Sequence, residues 1–469
     1  MNTTISPETT TVQHPQHTIP LQQPRKHVNH YTLYVFFVLF MATLLNGLDA
    51  SEFTSASTVI ARELHVGIND IGILASAFTI FLTISIIPVG IWADRAKRSH
   101  VIAACLAVWS LATALTGLAS NFIALFFTRM FTGIGEAGYA PAGNSLVGDF
   151  FREDQRSKIM SWLSVAGLIG PILGMVLGGV IAGLAPGSWR WAFLVTGIPG
   201  LMLALFAWRL REPARRQTVK LSYDAETTAS NGVKPVELLT HMRTVLRIKP
   251  LACLVIYGVL TAFTATALQS YFPTLLQQHD TFGLTSGQAA LYAALALGPT
   301  GLVGVLCGGY LADWLSHRYQ GANILICVVS VLLTAPLNVT SLLLISTHNL
   351  VVFSAVMIPT FFINTMHFGP LSAAVLDVTP AEQRASAVAI FVFIQRLLGT
   401  AMAPLFIGTL ASVFDPSGLH FMHNVAGHDL ILALICTCPI AFLGAGLVGM
   451  IGLRCMRHEQ EGTDHDSNF

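Results

Sequence analysis

RMFTGIGEAGYAPAGNSLVGDFF, residues 129–151, admits two incompatible structures. Gly133, Gly135 and Gly138 spell G-x-G-x-x-G, the fingerprint of a dinucleotide-binding turn. A cofactor turn needs a strand before its glycines and a solvated loop around them. Here FIALFFTRMF precedes the glycines and YAPAGNSLVG follows them, so the run reads as the middle of an apolar helix. Gly133 and Ala137 then make a small-x-x-x-small pair that lets a neighbouring helix approach closely. The same helix carries two charges, Arg129 and Glu136.

Composition favours the helix. Soluble globular proteins average about 25% charged residues. This chain of 469 residues has 10% charged and 53% hydrophobic, too little polar surface to cover itself in water. A net charge of +1 gives no case for nucleic acid as a partner. The seven cysteines are scattered through apolar runs, without metal or disulfide spacing, and Cys436 and Cys438 read as packing. His420, His423 and His428 cluster in a loop without a convincing ligand pattern, so neither a metal nor a cofactor is expected. No soluble segment is large enough to be a cofactor-binding α/β domain.

A crossing helix needs about 20 mostly apolar residues. Twelve such runs fit between residues 33 and 453, six in 33–210 and six in 250–453. The polar stretch 211–249 separates them as a central loop, and 1–32 reads as a disordered tail without the order of a signal peptide. Residues 454–469 form a second tail. If the N-terminus is cytoplasmic, 21 of the 25 Lys and Arg fall on the cytoplasmic side, with only Arg62 and Arg190 outside. The positive-inside rule therefore places both termini in the cytoplasm. The expected molecule is an all-α, multi-pass membrane protein, in a bacterial inner membrane, whose partners are the bilayer, a small solute and protons, working as a monomer.

The halves repeat. GIWADRAKR carries Gly90, Asp94, Arg95 and Arg98, and GYLADWLSHR carries Gly309 and Asp313 at the same glycine-to-aspartate spacing. DFFREDQR and DVTPAEQR align at an offset of 228, pairing Asp149 with Asp377 and Arg156 with Arg384. Both echoes join equivalent spans in the same orientation. That pattern predicts two parallel, pseudo-symmetric six-helix bundles with a site between them.

The loop Gly90-x-x-x-Asp94-Arg95-x-x-Arg98 resembles the signature loop of the major facilitator superfamily, and Arg129-x-x-x-Gly133-x-Gly135 resembles its proton-coupling motif. GEAGYAPAGNSLVGDFF with DQRSK, SWRWAFLVTGIPG at 188–200 and GPLSAAVLDVTPAEQRASAVA are similar to the Spinster-like transporters of that superfamily. The resemblance covers roughly residues 33–455. It implies the twelve-helix major facilitator fold. It also implies a latch on the cytoplasmic side built from Gly90, Asp94, Arg95, Arg98, Gly309, Asp313, Asp149, Arg156, Asp377 and Arg384. Two positions depart from the pattern. Members usually follow the span-one aspartate with an arginine, whereas Asp49 is followed by Ala50, Ser51 and Glu52. LLGTAMAP has Thr400 where the resemblance suggests an aspartate.

Charges near the bilayer centre cost about 2.5–3.5 kcal/mol on insertion scales, so they face a cavity or a partner. Arg129 and Glu136 share a helix face about 10 Å apart along the axis at 1.5 Å per residue, too far to pair directly. Asp49 and Glu52 share a face of span one. Comparing depths puts Asp49 level with Arg129, which predicts contact between them, while Glu52 lies nearer the outer water. Asp49, Arg129, Glu136 and Glu52 are the proton-coupling candidates. Tyr139, Asn144, Tyr257, Phe263, Gln269, Asn364, His367 and Arg396 are the candidates for lining a substrate cavity. The expected function is proton-coupled secondary transport of an amphipathic or small organic solute by alternating access, not enzymatic catalysis. Spinster-like relatives imply lipid-like substrates. The alternatives are a proton symporter for organic anions or sugar acids and, more distantly, a receptor or channel.

Overall fold

The computed structural model describes residues 30–151, 153–211, 247–278, 281–319, 321–380, 383–414 and 428–466. Most of the expected N-terminal tail and central loop, together with His420 and His423, lies outside the described residues. Within them all regular structure is helical. The first half comprises α1 (His30–Leu64), α2 (Ile68–Arg95), α3 (Arg98–Thr116), α4 (Phe122–Glu136), α5 (Tyr139–Phe150), α6 (Glu153–Ala182) and α7 (Trp189–Trp208). The second comprises α8 (Lys249–Gln277), α9 (Ser286–Ser316), α10 (Ala322–Leu344), α11 (Leu350–Thr365), α12 (Phe368–Asp377), α13 (Arg384–Ile394), α14 (Met402–Phe414) and α15 (His428–Asp466). A π-helical turn, Gln395–Thr400, joins α13 to α14.

Eleven crossings among the described residues are long and apolar enough to span a membrane, counting α11–α12 and α13–α14 as one each. The twelfth is α4 and α5 together, interrupted at Ala137 and Gly138. The first and last helices run beyond the expected spans, to Leu64 and to Asp466, so much of the expected C-terminal tail is helical.

The repeat at offset 228 extends well past the two loops that first show it. Asn121 caps α4 by accepting the Ala124 N–H at 2.9 Å, and Asn349 caps α11 by accepting those of Val351 and Val352 at 3.0 and 3.2 Å. An asparagine carboxamide there satisfies donors that a helix start leaves orphaned. Both helices then break one turn past mid-span, at Gly138 and at His367. In the following loops Arg156 Nε donates to the Phe151 carbonyl at 3.1 Å, and Arg384 Nε donates to the Thr379 carbonyl at 3.4 Å. Donor and acceptor are both displaced by 228 residues, so this is one contact made twice.

The two halves are not alike inside. The second has one continuous apolar core, running from Leu251 to Met456 and joined by Ile68 and Met175 of the first. In the first, one cluster gathers around Leu39, Leu106 and Trp109 and another around Phe53, Leu125 and Phe193. Between them lies a layer of buried polar and charged side chains. The halves meet at the end where α1 turns into α2. There Thr58 and Thr274 share a 3.1 Å hydrogen bond, Thr409 donates to Asn69 Oδ1 at 2.8 Å, and the Leu405 N–H donates to Ser76 Oγ at 3.0 Å. Glycines bring backbones together at this seam: a side chain at Gly72 would strike the Pro404 carbonyl, and one at Gly179 would strike Ala290. At the opposite end Gly90 and Gly309, of the two repeated loops, each have open space within 4 Å of where a Cβ would lie.

Candidate functional site

The buried layer is built by α1, α3, α4 and α7. Asp49 and Glu52 point into it one turn apart on α1, and Arg129 meets them from α4; all three are no more than 2% exposed. Asp49 Oδ2 lies 3.6 Å from Arg129 Nη1, and its Oδ1 accepts a 2.7 Å hydrogen bond from Thr113 of α3. The guanidinium also donates to Thr116 Oγ1 at 3.2 Å and sits 4.9 Å from the Phe53 ring centroid and 5.6 Å from that of Phe193. Two aromatic faces and one carboxylate hold it at fixed depth, since cations bind ring faces most strongly when desolvated.

Glu52 is a correction. It does not reach outer water: it is fully buried, with Thr196 of α7 donating to Oε2 at 2.9 Å and no partner for Oε1. The continuation of α1 to Leu64 moves the helix end three turns beyond it. Glu136 is buried at the end of α4, hydrogen-bonded to the Asn46 side chain, with Oε1 unpartnered. Asp49, Arg129 and, from the other half, Arg396 lie within electrostatic reach of it. No ion pair joins Arg129 to Glu136 among the described residues, in keeping with their two-turn separation.

A central cavity enclosing about 740 Å³, its open side included, lies between the halves. Ser51, Thr54 and Arg129 border it from the first half, and Thr266, Gln269, Ser270 and Thr400 from the second. A second cavity of about 530 Å³ lies within the second half, mainly apolar, and Gln269 borders both.

The expected lining residues divide. Gln269 and Asn364 line cavities, and Arg396 is exposed on the π-helical turn. Asn144 is exposed on α5. Tyr139 is instead a strut: its hydroxyl donates to the Leu39 carbonyl at 2.7 Å and shares a hydrogen bond with Thr43. Tyr257 is fully buried and donates to the Cys327 carbonyl at 2.8 Å, with His367 packed between it and Phe368. Phe263 packs edge-on to Phe406. The two tyrosines found partners in the protein for both their apolar bodies and their hydroxyls, whereas His367 is packed between rings with neither ring nitrogen hydrogen-bonded.

Of the latch residues, Arg95 and Asp313 are exposed and Arg98 is buried. Asp377 accepts from Asn323 at 2.7 Å, while the side chains of Asp94 and Asp149 lie outside the described residues. Unforeseen members of the site are Thr113, Thr116, Thr196, Asn46 and Asn338. Hydroxyls and amides inside apolar helices carry no spacing signature that separates lining from packing.

The glycines of GIGEAG have no room for a phosphate. A Cβ at Gly133 would strike the Phe78 carbonyl of α2, and one at Gly135 would lie 2.5 Å from the backbone nitrogen of Trp109 on α3. Gly133 seats α2, Gly135 seats α3, and Gly138 lies against Val89 of one and Cys105 of the other. Among the described residues no group of three His, Cys, Asp or Glu side chains is placed to hold a metal.

The family model of the Major Facilitator Superfamily matches residues 39–404. The chain belongs to that superfamily. Its relatives are transporters, and it is an integral, multi-pass membrane protein rather than an enzyme. It is 25% identical over 379 residues to Protein spinster of Drosophila melanogaster, covering 80% of this chain but only 61% of that protein's length. It is 27% identical over 286 residues to the Probable L-galactonate transporter of Escherichia coli, covering 59% of this chain and 61% of that one. Among solved structures, a bacterial homologue of the human lysosomal transporter Spinster, inward-facing and unoccupied, superposes with a TM-score of 0.73 at 22% identity, over 91% of this chain and 96% of that one. The resemblance to Spinster-like transporters and the twelve-helix fold both stand.

Proposed function

We propose that this transporter carries an amphipathic organic molecule by alternating access, coupled to protons. The observation that supports this reading is Gln269, which borders both the central cavity, lined in part by Ser51, Thr54 and Arg129, and the mainly apolar one. A charged or polar head fits the first and a hydrocarbon moiety the second. The seam between the halves is closed at the end away from the repeated loops. With both termini cytoplasmic, this is the inward-facing state.

Coupling is assigned to Asp49, Arg129, Glu136 and Glu52. The unpartnered oxygens of Glu52 and Glu136 call for a proton or an arriving partner, because a buried charge without either is costly. The resemblance places an arginine beside Asp49; here Ala50 stands there, and Arg396 of the other half is a cation within electrostatic reach of Glu136 instead. Protonation of Glu136 removes its attraction for Arg396, and rocking of the halves changes their separation. In this cycle the site residues are Arg129, Gln269, Asn364 and Arg396, and the repeated loops latch the cytoplasmic side.

A second reading, a symporter of small organic anions, draws on the same exposed Arg396 and on the relative described as a probable L-galactonate transporter. Proteoliposomes separate the two. The first reading expects uptake of lysolipid-like or fatty amphiphiles that saturates and responds to an imposed pH gradient. Saturable uptake of sugar acids alone overturns it in favour of the second, and flux that never saturates overturns both.

A further inference from the structure

The cavity within the second half has apolar walls, supplied by Phe272, Leu275, Leu297, Phe353 and Phe361. Most of its polar lining is already engaged. Thr334 donates to the Ser330 carbonyl at 2.8 Å, Thr360 to that of Val356 at 2.7 Å, and Ser341 to that of Asn338 at 2.8 Å. Asn338 of α10 and Asn364 of α11 are different. Both line the cavity, both are 3% exposed, and the Oδ1 of each has no hydrogen-bond partner. Two buried amide oxygens left unmatched in an apolar chamber imply a guest that matches them.

The chamber's chemistry restricts that guest. No charged side chain lines it, so an ionised group finds no counter-charge there. An amide offers an acceptor and donors, and a hydroxyl complements both. The internal repeat sharpens the contrast. Asn364 stands 228 residues beyond Glu136, so at the same helix break the first half places a carboxylate and the second a neutral amide.

We propose that this chamber is a binding subsite for an uncharged hydroxyl carried on the apolar moiety of the transported molecule, held between Asn338 and Asn364. The inference rests on the amphipathic-carrier reading and names the chemistry of the substrate's inner end. A hydroxyl donates its one hydrogen to one amide oxygen and accepts from the NH2 of the other amide, whereas a methyl group strands both amides.

The test uses the full chain in lipid nanodiscs with a matched pair of probes, dodecanoate and 12-hydroxydodecanoate, measured by equilibrium binding. Wild type is expected to bind the hydroxylated probe about tenfold more tightly. The double variant Asn338→Leu, Asn364→Leu is expected to lose or reverse that preference. The wild-type comparison decides the matter even if the double variant fails to fold. Equal affinity, or preference for the plain chain, overturns the subsite and leaves the carrier reading standing. If neither probe binds and neither is taken up by proteoliposomes, the carrier reading falls and the subsite with it.

Discussion

Thr58 of α1 and Thr274 of α8 share a 3.1 Å hydrogen bond across the two halves, and both side chains are buried. Alternating access must break this contact each time the closed end opens. The 3.1 Å approach of their hydroxyl oxygens makes the two positions the natural pair for a cysteine cross-link. In a background where the seven native cysteines are serine, oxidation of the Thr58→Cys, Thr274→Cys pair should reduce solute flux to background, and reductant should restore it. Flux that survives demonstrated cross-linking would show that the halves do not part here.

Glu136→Gln keeps the shape of the side chain and its bond to Asn46 but removes the titrating group. Proton-driven accumulation should disappear, while exchange of labelled for unlabelled solute across proteoliposomes persists. Arg396→Gln should also weaken accumulation, because it removes the cross-half charge within electrostatic reach of Glu136. If Glu136→Gln still accumulates solute against its gradient, the coupling role passes to Asp49 or Glu52.

Removing one member of a buried ion pair strands the other, at about 3–5 kcal/mol, whereas replacing both with neutral groups is far gentler. Arg129→Met should therefore lower the melting temperature of the purified protein markedly. Arg129→Met combined with Asp49→Asn should recover much of the loss. Equal melting temperatures for the single and double variants would show that Asp49 and Arg129, 3.6 Å apart, are not energetically paired.

Two glycines on the same crossing make an internal control. A methyl at Gly135 would lie 2.5–2.8 Å from the nitrogen, Cβ and Cα of Trp109, while nothing lies within 4 Å of one at Gly148. Overpacking of a filled interior costs about 1–3 kcal/mol. Gly135→Ala should destabilise the protein and Gly148→Ala should not, as read from thermal unfolding monitored by Trp fluorescence. Equal stability would mean that α3 yields at Trp109.

The fold was legible because membrane crossing imposes length and polarity limits that few sequences meet by accident. The Asp49–Arg129 contact was legible for a related reason: antiparallel spans of known ends let two rare charges be compared in depth. Glu52 lies deeper than its sequence suggests because the helix continues to Leu64 through Ser55, Ser57 and Thr58. Their hydroxyls bond to carbonyls of their own helix or to Thr274, so a polar run that resembles a helix exit stays helical. Tyr139 and His367 occupy equivalent places 228 residues apart, and both are buried at a helix break. The repeat is what links the two positions. Asn338 had no such guide, because only the three-dimensional cavity distinguishes it from other polar residues on α10.

The glycine contacts at the closed end have a mechanical meaning. Where Gly72 meets Pro404 and Gly179 meets Ala290, the touching surfaces are largely peptide backbone and methyl groups. Parting these two points uncovers little hydrocarbon, and the apolar adhesion of the seam comes instead from side chains such as Ile68 and Met175, which join the second half's core. Few rotamers have to be reset for these two points to close again. A ligand shifts a conformational balance only by its differential affinity for the two states. In the proposed cycle, then, which way the molecule faces turns on how differently its protonated and loaded states hold this joint.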